Sequence, residues 1–175
     1  HLLAAHLDHR VDVPVEQVMT SATGVIGQPL PMPTLRKGIA QAVATLRPEG
    51  LADAAEAIRT TDTFTKTAIR RVRVDGAWVT VAGMAKGSGM IEPRLATMLS
   101  YVFTDAAVGS PPLRRLAKTP PDAPYNRLSV DGETSTSDTF LCFANGLAGN
   151  RPIRSARSPG ADGGARHRDR GRSRG

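Results

Sequence analysis

The 175-residue chain has 40% hydrophobic but only 4% aromatic residues, which suits one domain, or part of one, with a core of Ala, Val, Leu, Ile and Met. One cysteine and four histidines exclude a disulfide framework and a metal-ligand set of the usual spacings, and no apolar run approaches the roughly 18 residues of a membrane span. The formal charge of +7 resides almost wholly in residues 151–175, where eight Arg face only Asp162 and Asp169, so neither a nucleic-acid-binding module nor a membrane partner is expected, and the lone thiol suits a reducing, cytoplasmic setting.

Residues 1–19 open with a short apolar helical stretch cut by Pro14, and residues 20–34, rich in Gly, Pro and Thr, read as loop and strand ends. Leu35, Ile39, Val43 and Leu46 then recur at helical steps, with Thr34 as N-cap and Pro48 and Gly50 as the stop. The Ala-rich stretch 51–59 predicts a second short helix. Two β-branched runs, 66–74 and 77–82, flank Asp75-Gly76, a dipeptide that favours the positive φ angles of a two-residue hairpin turn. Residues 83–96 read as a Gly-rich connection. Residues 97–104 read as a buried strand, because Met98, Leu99, Val102 and Phe103 need cover, although an apolar run this short also fits a helix. Pro111, Pro112, Pro120, Pro121 and Pro124 leave room for only a turn or two of helix. Residues 126–131 suggest a strand, and Asp138 the cap of a short helix over 139–146. From Arg151 onward almost nothing is apolar, so a disordered tail is expected.

Few segments could carry chemistry by themselves. The loop 83–90 (GMAKGSGM) has Gly after Lys86, the wrong order for a phosphate loop, and Glu92 where a dinucleotide fingerprint needs its third glycine. What it offers is a lysine on backbone that another group can approach closely. Thr23-Gly24 opens a Gly-rich turn whose backbone N–H groups could serve an oxyanion hole, or be a plain turn. Thr60, Thr61, Asp62 and Thr63 read as a capping cluster at a helix exit. Cys142 sits among apolar neighbours and reads as a buried, inert thiol.

Taken in order, these segments are no longer anonymous. Residues 23–32 (TGVIGQPLPM), 60–63 (TTDT), 83–91 (GMAKGSGMI), 95–99 (LATML), 103–106 (FTDA), Asn126-Arg127 and 130–139 (VDGETSTSDT) occur as a spaced series. The series strongly resembles the ornithine acetyltransferases, or glutamate N-acetyltransferases, of arginine biosynthesis, from about residue 20 to residue 152.

The resemblance implies an α/β fold, the layered αββα sandwich of that family, incomplete here because members are longer. It implies a precursor that cuts itself between Ala96 and Thr97. Residues 1–96 would then end one chain and 97–152 begin the next, with 153–175 a disordered Arg/Gly/Ser-rich tail whose composition resembles out-of-frame translation. It assigns Thr97 as nucleophile, Thr23 and Gly24 as oxyanion hole, and Thr60, Lys86 and Thr97 as substrate contacts. The implied reaction moves an acetyl group from N-acetylornithine to glutamate. No cofactor or metal is implied, although a bifunctional member would also take acetyl-CoA as co-substrate. The cleaved chains would stay together, as a heterotetramer in the intact protein. The alternatives are a related N-terminal-nucleophile amide hydrolase or an inactive fragment.

The residue types suit that chemistry. A threonine hydroxyl is a poor nucleophile until a base takes its proton. Cutting before Thr97 would free an α-amine on the same residue, with a reference pKa of roughly 7.7–8.0, suited to be that base near neutrality.

Overall fold

A computed structural model describes residues 13–24, 27–87, 98–118 and 138–155. The predicted N-terminal helix and the strand at 126–131 lie outside them, apart from a 3-10 turn at Val15–Gln17 just past Pro14. The chain divides into two compact units, His1–Lys66 with Ala85–Ser100 and Ser129–Thr139, and Thr67–Met84 with Tyr101–Leu128 and Phe140–Gly175.

The first unit holds two helices, α1 (Met32–Ala44) and α2 (Leu51–Ile58). Helix α1 starts two residues before the expected Thr34 cap, directly after Pro31, with Pro33 in its first turn and no side-chain cap. Proline there has the right φ and removes a donor that would otherwise need a cap. The helix also stops earlier than Pro48, because the Thr45 hydroxyl donates back to the carbonyls of Gln41 and Ala42 at 3.0 and 3.2 Å. Leu35, Ile39 and Val43 form the half-buried stripe that their spacing requires, whereas Leu46 lies past the end and is exposed. Helix α2 buries Ala55, and Arg59 then turns the chain to extended backbone.

The four strands are β1 (Lys66–Val74), β2 (Ala77–Lys86), β3 (Leu99–Thr104) and β4 (Thr139–Ala144), paired in that order. Asp75 and Gly76 take φ angles of 50° and 86°, the geometry a two-residue hairpin requires. Putting a Cβ on Gly76 keeps a left-handed φ that L-residues resist, so Gly76→Ala is expected to cost about 1–2 kcal/mol, read from urea midpoints.

Strand β2 runs on through Gly83 to Lys86, where a Gly-rich connection was expected. Gly83 fits within the strand, where even a Cβ would make only an ordinary contact of 3.5 Å with the Tyr101 carbonyl oxygen. The expected helix after Asp138 is instead strand β4. The Thr139 N–H donates to the Met98 carbonyl and the Asn145 N–H to the Thr104 carbonyl, a constant offset that makes β4 parallel to β3. An apolar run this short fits either element, and pairing along β3 decides it.

In the second unit Val74, Val79 and Ala106 form the buried core, with Val72, Val81, Val108, Ala148 and Ile153 packed against it. Phe103 and Phe143 stack with ring centroids 5.3 Å apart. Helix α3 (Ser110–Lys118) accepts Pro111 and Pro112 in its first turn, where missing N–H groups cost nothing. Ile153, assigned to the tail by composition, bridges in parallel to Val108, and its N–H and carbonyl bond Ala107 and Gly109. It is the apolar residue in that stretch and it finds cover; residues 156–175 lie outside the described residues. Among the described residues the architecture is α/β with a mixed four-stranded sheet and three α-helices, compatible with an incomplete sandwich. Among the described residues no helix is long and apolar enough to cross a membrane.

Candidate functional site

Three residues distant in sequence meet within the first unit. Strand β2 delivers Lys86 at its last position, and the side chain is 2% exposed. Its ammonium donates to the Thr23 hydroxyl at 3.4 Å and the Thr60 hydroxyl at 3.3 Å. Thr23 lies in the loop leading toward α1, and Thr60 lies just past the end of α2. Thr60 is exposed and Thr23 half-buried, so the hydroxyls are what a ligand can reach. Each hydroxyl accepts from the ammonium and keeps its own O–H free to donate elsewhere. A buried cation thus polarises two outward donors.

Gly24 follows Thr23, and a Cβ on it would touch the Leu30 side chain at 3.4 Å. Ala96 and Thr97 lie outside the described residues; at Met98 the N–H donates to the Asp138 carboxylate at 2.8 Å and the carbonyl accepts from Thr139 at 2.9 Å. Asp138, expected as a helix cap, therefore bonds the backbone one residue after Thr97.

The 60–63 segment is more than a capping cluster. Asp62 is 3% exposed and accepts the Gly87 N–H on both oxygens, at 3.0 and 3.2 Å. The Lys66 ammonium bonds both the Asp62 carboxylate and the Gly87 carbonyl. Arg59, tied to Glu56, donates to the Asp62 carbonyl at 2.8 Å and sets the turn. Sequence reading missed the role of Asp62 because the Asp62/Lys66 spacing straddles a helix exit and a strand start, where helical pairing rules do not apply.

Electrostatics follow from burial. Loss of solvent lowers the affinity of Lys86 for its proton, and the negative charge of Asp62 only partly offsets this. Burial also opposes ionisation of Asp62, yet the Lys66 ammonium and the Gly87 N–H outweigh it and hold the carboxyl below its usual value. A carboxyl more acidic when folded contributes stability above its unfolded pKa of roughly 3.9 and loses it as pH falls through the folded value. Asp62→Asn is therefore expected to flatten the acid limb of a melting-temperature profile between pH 5 and 2, scales set by the carboxylate range. Cys142, free and half-buried on β4, has its thiol pushed up by burial, in keeping with an inert side chain. Among the described residues no group of His, Cys, Asp and Glu is arranged to hold a metal ion.

The family expected from the spaced motifs is the one found: a model of the ArgJ family matches residues 1–162. The chain belongs to the ArgJ family. It is 56% identical over 138 residues to a Symbiobacterium thermophilum protein named arginine biosynthesis bifunctional protein ArgJ, covering 79% of this chain and 34% of that protein. ArgJ proteins of the same name from Thermotoga neapolitana and Caldanaerobacter subterraneus are 50% and 48% identical over 143 residues, each covering 82% of this chain and 36% of the relative. The chain thus spans about a third of the length of the curated ArgJ relatives it matches. Of the residues singled out from sequence, the chain brings Thr23, Thr60 and Lys86 together, with Gly24 adjoining.

Proposed function

We propose that the protein carrying this chain is a glutamate N-acetyltransferase of arginine biosynthesis, acting in the cytoplasm through an N-terminal Thr97 freed by self-cleavage at Ala96–Thr97. The observation that supports this reading most is the meeting of Thr23, Thr60 and Lys86 in a chain of the ArgJ family. Thr97 Oγ attacks the acetyl carbonyl of N-acetylornithine while the Thr97 α-amine takes the hydroxyl proton. The C–N bond breaks, the proton passes to the departing amine, and ornithine leaves an acetyl-threonine ester. The glutamate amine then attacks that ester, the C–O bond breaks, and the proton returns to Thr97 Oγ.

Negative charge develops on the acetyl oxygen in both halves. The Thr23 hydroxyl and the Gly24 N–H donate to it, and Lys86 behind Thr23 strengthens the donor without leaving its buried position. Thr60, polarised by the same ammonium, contacts substrate. The reading carries with it the αββα sandwich, association of the cleaved chains as a heterotetramer, and acetyl-CoA as a second acetyl donor in bifunctional form, with no cofactor. Incubating the full-length protein with N-acetylornithine and glutamate tests it. Acetylglutamate is the expected product, and free acetate without acetylglutamate would make it an amide hydrolase instead. Thr60→Val, which removes one polarised hydroxyl, is expected to raise KM for N-acetylornithine about tenfold in the same assay.

A further inference from the structure

The peptide after Lys86 is held in an unusual way. Strand β2 ends at Lys86, and Gly87 takes a φ of 144°, a conformation that strains any L side chain, with the Met98 Cα 3.4 Å from where a Cβ would lie. Glycine backbone is the most permissive there is, and the polar groups of this one are gripped by an ion pair rather than by a neighbouring strand. Its N–H is held by the buried Asp62 carboxylate at 3.0 Å and its carbonyl by the Lys66 ammonium, which also neutralises Asp62. The Lys86 side chain leaves the backbone one residue earlier. Lysine carries four rotatable bonds and little directional preference of its own, so its ammonium meets Thr23 and Thr60 only if the backbone frame is fixed.

We propose that Asp62 and Lys66 are positioning residues: the pair clamps the Gly87 peptide and thereby aims the Lys86 ammonium at the hydroxyls of Thr23 and Thr60. The clamp rests on the acyl-transfer reading for its catalytic consequence, not for its geometry. Asp62 touches neither hydroxyl in this arrangement; it acts through the Gly87 peptide, while Lys66, a third exposed, closes the other side. Because the Lys86 cation behind Thr23 matters most when charge develops, and loosening the clamp leaves the Thr60 hydroxyl in place to contact substrate, the loss falls on kcat and leaves KM nearly unchanged.

The test uses the full-length protein and four variants, Asp62→Asn, Lys66→Gln, Lys86→Met and the Asp62→Asn/Lys86→Met double. Asp62→Asn is expected to lower kcat by about 10- to 100-fold, the scale of a misplaced catalytic group, with KM within about twofold. The double variant is expected to be no slower than Lys86→Met alone, since a residue acting through Lys86 has nothing left to act on. Amide exchange at Gly87 should quicken in Asp62→Asn whatever the reaction proves to be. Multiplying losses in the double variant, or normal kcat and normal Gly87 exchange in Asp62→Asn, would overturn the clamp. If Lys86→Met alone keeps full activity, the role given to Lys86 in the acyl-transfer reading fails, and Gly87 exchange still decides the clamp. Should Asp62→Asn not fold, Lys66→Gln leaves the Asp62 bond to Gly87 in place and must show the same dependence on Lys86, or the proposal falls.

Discussion

Replacing Thr97 by alanine is expected to leave the full-length protein as one uncut band and to lower acetyl transfer roughly a millionfold, the scale seen when a hydroxyl nucleophile is deleted. Both effects come from one atom. In the proposed mechanism the Oγ that attacks the acetyl group first attacks the Ala96 carbonyl to open the chain, and alanine has nothing to attack with. Denaturing gel electrophoresis reads the first effect and acetylglutamate formation the second. An alanine variant that still cuts and still transfers would end the acetyl-threonine account.

Lys86→Met is the other large effect. Methionine fills most of the same buried volume but removes the cation beneath Thr23 and Thr60. Losing one donor of an oxyanion hole costs about 100- to 1000-fold in kcat. A comparable loss is expected here, with the protein still folded by thermal melting. The pH profile carries a second signature. In the proposed mechanism the Thr97 amine acts as base in its unprotonated form, so the rate is expected to rise with pH through its pKa. Lys86 must stay protonated, and burial makes it release its proton at lower pH than an exposed lysine, so the rate falls early on the alkaline side. The Met variant should lose that alkaline fall and keep the acid rise.

Local chemistry made some of this protein legible from sequence and left the rest unreadable. Asp75-Gly76 announces its hairpin because few residues tolerate those φ angles. The stripe of Leu35, Ile39 and Val43 announces α1, since a helix can bury only residues on one face. The start of α1 was misplaced because a cap was sought in a side chain, whereas Pro31 and Pro33 do the work through φ. Strand β4 and the last turn of β2 depend on partners across the sheet, and no local pattern encodes a partner. At the site, Thr23, Thr60 and Lys86 are singled out by the resemblance of the spaced motifs to a known family, since no local pattern says that they meet. Asp62 and Asp138 were seen but misread, because a carboxylate beside Thr or Ser looks like a cap whether it bonds its own turn or a distant peptide.

The sheet order has a consequence for a nicked molecule. Strands β1 and β2 precede Ala96–Thr97, and β3 and β4 follow it, yet β2 and β3 lie side by side. The Asp105 N–H and the Thr104 hydroxyl both donate to the Thr80 carbonyl, and the Asp105 carboxylate accepts the Thr80 N–H at 2.7 Å. A break in the covalent backbone would therefore leave a seam of hydrogen bonds stitched across it. The two polypeptides would sediment as one particle until denaturant unzipped that seam.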